Sequence, residues 1–100
     1  MKEHFDEVCQ RLDGATSGNM FGKPCYKRGK KAFVLFYQDE IVCKLIGEIR
    51  EKALSIPESK LFNPKGKGKP MSNWVQIPAD AQDQWAYFAE QAFLLNPTPQ

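Results

Sequence analysis

The sequence contains little of what catalytic and metal sites are built from. His4 is the only histidine, and the three cysteines, Cys9, Cys25 and Cys43, form no Cys-x-x-Cys pair. His4 and Cys9 are five residues apart, which on a helix is a rotation of about 500°, so their side chains point in different directions. No pattern of a zinc site, a carboxylate pair or an activated nucleophile is present. We therefore expect no catalytic residue, cofactor or metal, and three reduced thiols rather than a disulfide framework.

Long apolar runs are also missing. No segment reaches the roughly 18–20 residues that a membrane-spanning helix requires, and the first seven residues, Met-Lys-Glu-His-Phe-Asp-Glu, break the pattern of a signal peptide. The sequence therefore predicts a cytoplasmic protein without a membrane partner. Its 100 residues, 42% hydrophobic and 26% charged, predict a single domain over 1–100 with its core at about 4–95.

Acidic residues are absent from 14–38 and from 59–79, although the net charge is only +2. These two stretches hold nine of the fourteen basic residues. Segments 1–13 and 80–100 carry more acids than bases, so we expect a polarised surface. The residues predicted to contact an anion or a nucleic acid are Lys23, Lys27, Arg28, Lys30, Lys31, Lys65, Lys67 and Lys69.

Each basic stretch also has a purely structural interpretation. Tyr26 can stack a nucleobase beside the lysines of 23–31, but lysines in a turn also keep a hairpin from pairing with other chains. The loop around Lys65–Ser72 has the glycines and lysines of an anion cradle. However, Asn63 stands where a Walker A loop needs glycine, and Pro70 where it needs Ser or Thr. A solvated loop or a general anion contact is therefore favoured over a nucleotide site.

Hydrophobic periodicity predicts three helices, over 2–13, 47–55 and 80–95. Strands are predicted at 24–27, 32–37 and 41–45 as an antiparallel meander and at 74–77, with 15–23 as a short strand or extended segment. The result is an α+β fold with an antiparallel sheet, in the order α-β(3)-α-β(1-2)-α. Segment 32–37 is apolar on both faces and is expected near the sheet centre. The predicted buried residues are Phe33, Leu35, Ile41, Cys43, Val75 and Trp85.

Four short motifs form a recognisable pattern along the chain: Met20-Phe21-Gly22, Gly29-Lys30 before an aromatic strand, the Val-x-Lys-Leu segment 42–45, and Pro70-Met71 followed by Trp74-Val75. In these motifs the chain resembles the N-terminal domain of the TfoX/Sxy family. The resemblance implies a helix–three strands–helix–two strands–helix topology and a stand-alone domain, because the chain ends at Gln100 without the family's second domain. The family's named members regulate bacterial competence through transcription. The YjbR-like proteins share a similar glycine–lysine strand signature and are a second family that the pattern resembles.

Two functional classes remain open. One is a non-catalytic regulatory or protein-interaction module that docks an unidentified protein or a second copy of the chain. The other is a nucleic-acid-binding module that uses basic loops 23–31 and 60–69. The sequence favours the first, because the net charge is small and acidic helices would repel phosphate. Binding to nucleic acid is then expected to be weak.

Overall fold

A computed structural model describes residues 1–64, 66 and 68–96. The helices are α1 (Lys2–Gln10), α2 (Gly47–Leu54) and α3 (Trp85–Leu95), and a 3-10 helix, Ala79–Gln84, precedes α3. The strands are β1 (Ala15–Met20), β2 (Lys23–Arg28), β3 (Lys31–Tyr37), β4 (Glu40–Lys44), β5 (Lys60–Phe62) and β6 (Met71–Ile77). They pair in the order β1-β2-β3-β4-β6-β5, and every pair is antiparallel. The predicted α+β class is confirmed.

Two elements differ in extent from the prediction. β1 is a full strand that pairs with β2 from Ala15↔Arg28 to Met20↔Lys23, so four strands precede α2 instead of three. Its small and polar residues have weak strand propensity, and pairing with β2 supplies the stability that propensity lacks. The third helix begins at Trp85, because Ala81 has a non-helical backbone (φ −104°, ψ 25°) and the preceding residues form the tighter 3-10 turn.

The main core lies between the sheet and the helices. The six residues predicted to be buried are all fully buried, and β3 is the third of the six strands, so its central position is confirmed. A bulge in β3 shifts the register between Tyr26↔Val34 and Lys27↔Ala32. The extra residue, Phe33, therefore joins Val34 on the helix side, where Phe33 packs edge-on against Phe93 with ring centroids 5.2 Å apart.

The opposite side of the sheet, called the open face below, carries a second cluster. Its buried members are Cys25, Leu35, Val42, Phe62 and Trp74, whereas every buried residue of the three helices belongs to the main core. Tyr37 of β3 meets Phe62 of β5 with ring centroids 5.2 Å apart. In a flat sheet these strands would be about 14 Å apart, three spacings of about 4.8 Å. The sheet therefore curls, and the open face is concave.

Candidate nucleic-acid interface

Strand alternation puts four lysines on the open face. Lys23 and Lys27 share the side of Cys25 on β2, Lys44 lies opposite Trp74, and Lys60 lies opposite Gln76. The acid among the described strand residues of this face is Glu40, whose carboxylate accepts a hydrogen bond from Gln76 Nε2 at 2.6 Å. The face therefore carries a net positive charge next to apolar and aromatic side chains.

Two of these lysines lie over aromatic rings. Lys23 Nζ is 5.1 Å from the centroid of the Tyr37 ring, and Lys44 Nζ is 6.0 Å from that of Trp74. The negative face of each ring attracts the ammonium group and holds it at the surface of the cleft. This arrangement keeps the positive charges ordered and available to an anion.

Lys27 owes its position to a glycine on the neighbouring strand. A Cβ atom added at Gly18 would lie 3.1 Å from Lys27 Cε and 3.6 Å from Lys27 Nζ. The lysine stem therefore passes close over Gly18 of β1, where a larger side chain would require the stem to shift by a few tenths of an ångström. Lys27 extends the positive surface from β2 towards the sheet edge.

The two basic loops lie at the same end of the sheet. β2, β4 and β5 run in one direction, because each is antiparallel to β3 or β6 between them. The β2–β3 turn and the loop from β5 to β6 therefore leave the same end of the sheet. Lys44, at the end of β4, lies between them. The fold thus joins the two basic stretches through a lysine that the sequence did not single out.

The predicted contact residues have different surroundings. Lys23 and Lys27 are half-buried on the open face, Lys30, Lys31 and Lys69 are exposed, and Lys65 and Lys67 lie outside the described residues. Arg28 turns towards the helices instead. Its Nη1 donates to the Phe93 carbonyl at 2.8 Å and its guanidinium lies 4.2 Å from the Phe93 ring centroid. Arg28 therefore satisfies a carbonyl at the end of α3.

Tyr26 is not available to stack a base. Its side chain is buried on the helix side and its hydroxyl donates to Asp6 Oδ1 at 3.0 Å. Burial, the largest effect, and the neighbouring Asp6 raise the pKa of Tyr26, although the hydrogen bond from Gln10 lowers it. The aromatic rings beside the lysines are instead those of Tyr37 and Trp74.

The acids of the helices lie on the other side of the molecule. α1 carries Glu3, Asp6 and Glu7 and packs on the helix side of the sheet. Asp80 and Asp83, with Glu58, line an open cavity of about 440 Å³ at the end of the sheet opposite to the basic loops. The charge polarisation expected from the sequence therefore takes the form of a basic open face, with acids on α1 behind the sheet and at the sheet end away from the basic loops.

The three cysteines are buried, and the histidine is bonded within the chain. Burial raises the pKa values of Cys9, Cys25 and Cys43, the first and last of them well above the ordinary range. His4 Nε2 donates to the Gln82 carbonyl at 2.9 Å, and its ring lies 5.5 Å from that of Trp85. Within residues 1–64, 66 and 68–96, His, Cys, Asp and Glu form no group suited to hold a metal ion. The three buried cysteines pack in the two clusters, and their raised pKa values keep them in the thiol form at neutral pH.

Among the helices of the described residues, none has the length and apolar character needed to cross a membrane. The likeness to the TfoX/Sxy N-terminal domain rests on the sequence motifs given above. No protein-family model, curated protein or solved structure matches this chain.

Proposed function

We propose that this chain is a non-catalytic regulatory module that binds single-stranded nucleic acid on its open face. The observation that carries the proposal is the segregation of charge. Lys23, Lys27, Lys44 and Lys60 share a concave face with one acid, Glu40. Phosphates attract such a face, and the acids of α1 that would repel them lie behind the sheet. The small net charge therefore understates the affinity that this side can have.

A single strand fits this face better than a duplex. A duplex is commonly read by a helix in the major groove. The acidic residues of α1 would repel the phosphates of a duplex, so α1 does not suit this contact. A curled sheet with rings and lysines side by side instead offers the two contacts of a flexible strand, one to the bases and one to the backbone. The resemblance to TfoX/Sxy regulators, which act on transcription, supports a nucleic-acid ligand.

The cysteines support a non-catalytic role in the cytoplasm. All three are free and buried, which suits a reducing compartment. Their raised pKa values keep them as thiols at neutral pH, and a thiol is a far weaker nucleophile than a thiolate.

Removing lysines from the basic side is expected to weaken binding and to reduce its dependence on salt. The variant is Lys27→Ala/Lys44→Ala/Lys69→Ala. With about four phosphates neutralised, the wild-type protein should lose about 50-fold in affinity between 50 and 200 mM salt. The variant should reduce the slope of log affinity against log salt by about 2. Fluorescence anisotropy with single-stranded DNA, single-stranded RNA and duplex DNA measures both quantities.

The matched control removes three cations from the helix side, in Lys2→Ala/Arg11→Ala/Lys52→Ala. It changes the net charge by the same amount and should leave the salt slope unchanged. Equal slopes in the two triple variants would mean that net charge alone drives binding. That result, or an absence of binding at low salt, would refute the proposed site.

The second candidate is protein interaction through exposed apolar side chains of the helix side. Ile46, Tyr87 and Leu94 are 50%, 42% and 58% exposed. Lys52 Nζ of α2 donates to Tyr87 Oη of α3 at 3.4 Å, which places these two helices side by side. Asn96, just after α3, donates at 3.3 Å to the carbonyl of Lys44, two residues before Ile46. Ile46 therefore lies near the end of α3 that carries Leu94. Exposed apolar groups favour association with another protein surface. The proposed partner is a second copy of the chain.

Self-association through these residues should respond to a charge placed among them. We expect Ile46→Asp/Leu94→Asp to lower the average mass measured by sedimentation at high protein concentration, because burying a carboxylate opposes association. Phe21→Asn removes an equally exposed apolar side chain from a distant hairpin and should not change the mass. A wild-type protein that stays monomeric at every concentration would exclude this candidate.

A further inference from the structure

The hairpin between β1 and β2 ends in an unusual aromatic residue. Met20 pairs with Lys23, which leaves a two-residue turn of Phe21 and Gly22 with φ values of 55° and 73°. Positive φ at both positions favours Asn-Gly, because Asn and Gly tolerate the left-handed region and a bulky aromatic does not. The turn would therefore be less strained with another residue in place of Phe21.

Packing does not compensate for this strain. The Phe21 side chain is 58% exposed, and Phe21 belongs to neither of the two buried clusters. A bulky aromatic residue that is both exposed and in an unfavourable conformation contributes little to folding. An exposed aromatic ring in this turn is available for a contact outside the folded chain.

The turn adjoins the basic open face. Lys23 Nζ donates to the Phe21 carbonyl at 3.3 Å and also lies over the Tyr37 ring. Met20, which precedes the turn, packs against the cluster of the open face. The acid of this face, Glu40, pairs with Tyr37 and accepts a hydrogen bond from Gln76. The hairpin tip therefore places an exposed ring beside an ordered ammonium group, the pair of contacts that one nucleotide requires.

We propose that Phe21 stacks on a nucleobase of the bound single strand while Lys23 contacts the adjoining phosphate. This inference rests on the proposed function and adds to it the residue that reads the base. The stacking contact is indifferent to base identity, because every base presents a π-face. The site therefore holds single strands with little sequence preference.

The decisive variant is Phe21→Asn, which improves the turn while it removes the ring. We expect its thermal midpoint to rise by about 4–8 °C, because the strain of the left-handed phenylalanine is relieved. Its affinity for a single-stranded oligonucleotide should fall by about 5- to 150-fold, the range for one lost stacking contact. Phe21→Trp keeps an aromatic ring and should retain the affinity.

An oligonucleotide of abasic sites separates stacking from charge. Wild-type protein and Phe21→Asn should bind this phosphate backbone equally, and the defect of the variant should appear only when bases are present. If Phe21→Asn binds normal strands as tightly as the wild type, while the Lys27/Lys44/Lys69 variant loses binding, the inference about Phe21 is wrong and the proposed function stands. If the wild-type protein binds no strand, both are wrong.

Discussion

Replacing Trp85 with alanine is expected to lower the free energy of unfolding by about 3–5 kcal/mol, the usual cost of truncating a buried large aromatic. Trp85 is the first residue of α3, its side chain is fully buried in the main core, and its Nε1 donates to the Pro78 carbonyl at 3.1 Å. The alanine variant loses the apolar contacts, opens a cavity and leaves that carbonyl without its partner. A domain of this size has about 5–15 kcal/mol of stability in total, so this loss is a substantial fraction of it.

Urea denaturation at constant pH measures the change. Trp85→Phe keeps much of the buried surface and loses the hydrogen bond, so it should cost less than the alanine variant. Leu94→Ala removes a side chain from an exposed position of the same helix and should change stability by less than about 0.5 kcal/mol. An alanine variant at Trp85 within that range would show that α3 is not packed as described.

The centre of the fold was predictable because the residues of β3 leave few alternatives. A run of β-branched and aromatic residues that is apolar on both sides is stable only between two covered faces. The prediction that Phe33 and Leu35 are buried is therefore confirmed on both sides of the sheet. The bulge that brings Phe33 and Val34 to the same side was not predictable, since it depends on the pairing with β2.

Segment 15–23 was predicted only as a short strand or extended segment, and the full strand β1 was missed for the opposite reason. Ala15–Met20 has no alternation of apolar and polar residues, and its stability comes from β2 and from the turn that joins them. The sequence pattern of this segment therefore gives little indication of a strand, and pairing with β2 determines its conformation.

The candidate site was only partly predictable from the sequence. The absence of acids in 14–38 and 59–79 located the basic chain segments, but strand order decides which lysines share a surface. Lys44 and Trp74 are thirty residues apart and meet only because β4 pairs with β6. Arg28 was predicted as a ligand contact, yet alternation along β2 turns it to the helix side, where it bonds to Phe93.

Raising the pH from 8 to 10 is expected to lower the free energy of unfolding by about 4 kcal/mol through two cysteines. Burial is the largest cause that raises the pKa of Cys9 and of Cys43. A neighbouring negative charge raises each pKa further: the Asp6 carboxylate acts on Cys9, and the Cys9 thiolate acts on Cys43. In the unfolded chain both thiols ionise near pH 8.5. Above that pH the unfolded state releases protons that the native state retains. The stability that the two thiols contribute is therefore fully present below the unfolded pKa and is lost as the pH rises.

Urea denaturation at several pH values, under reducing conditions, measures this slope, which is about 1.4 kcal/mol per pH unit for each thiol. The double variant Cys9→Ala/Cys43→Ala should be less stable at neutral pH, because it creates small cavities, but its stability should change much less between pH 8 and 10. Tyr26→Phe controls for the other buried acid on the helix side and should retain the slope, since an unfolded tyrosine ionises only near pH 10. An equally steep fall in the cysteine double variant would show that other groups cause the alkaline destabilisation.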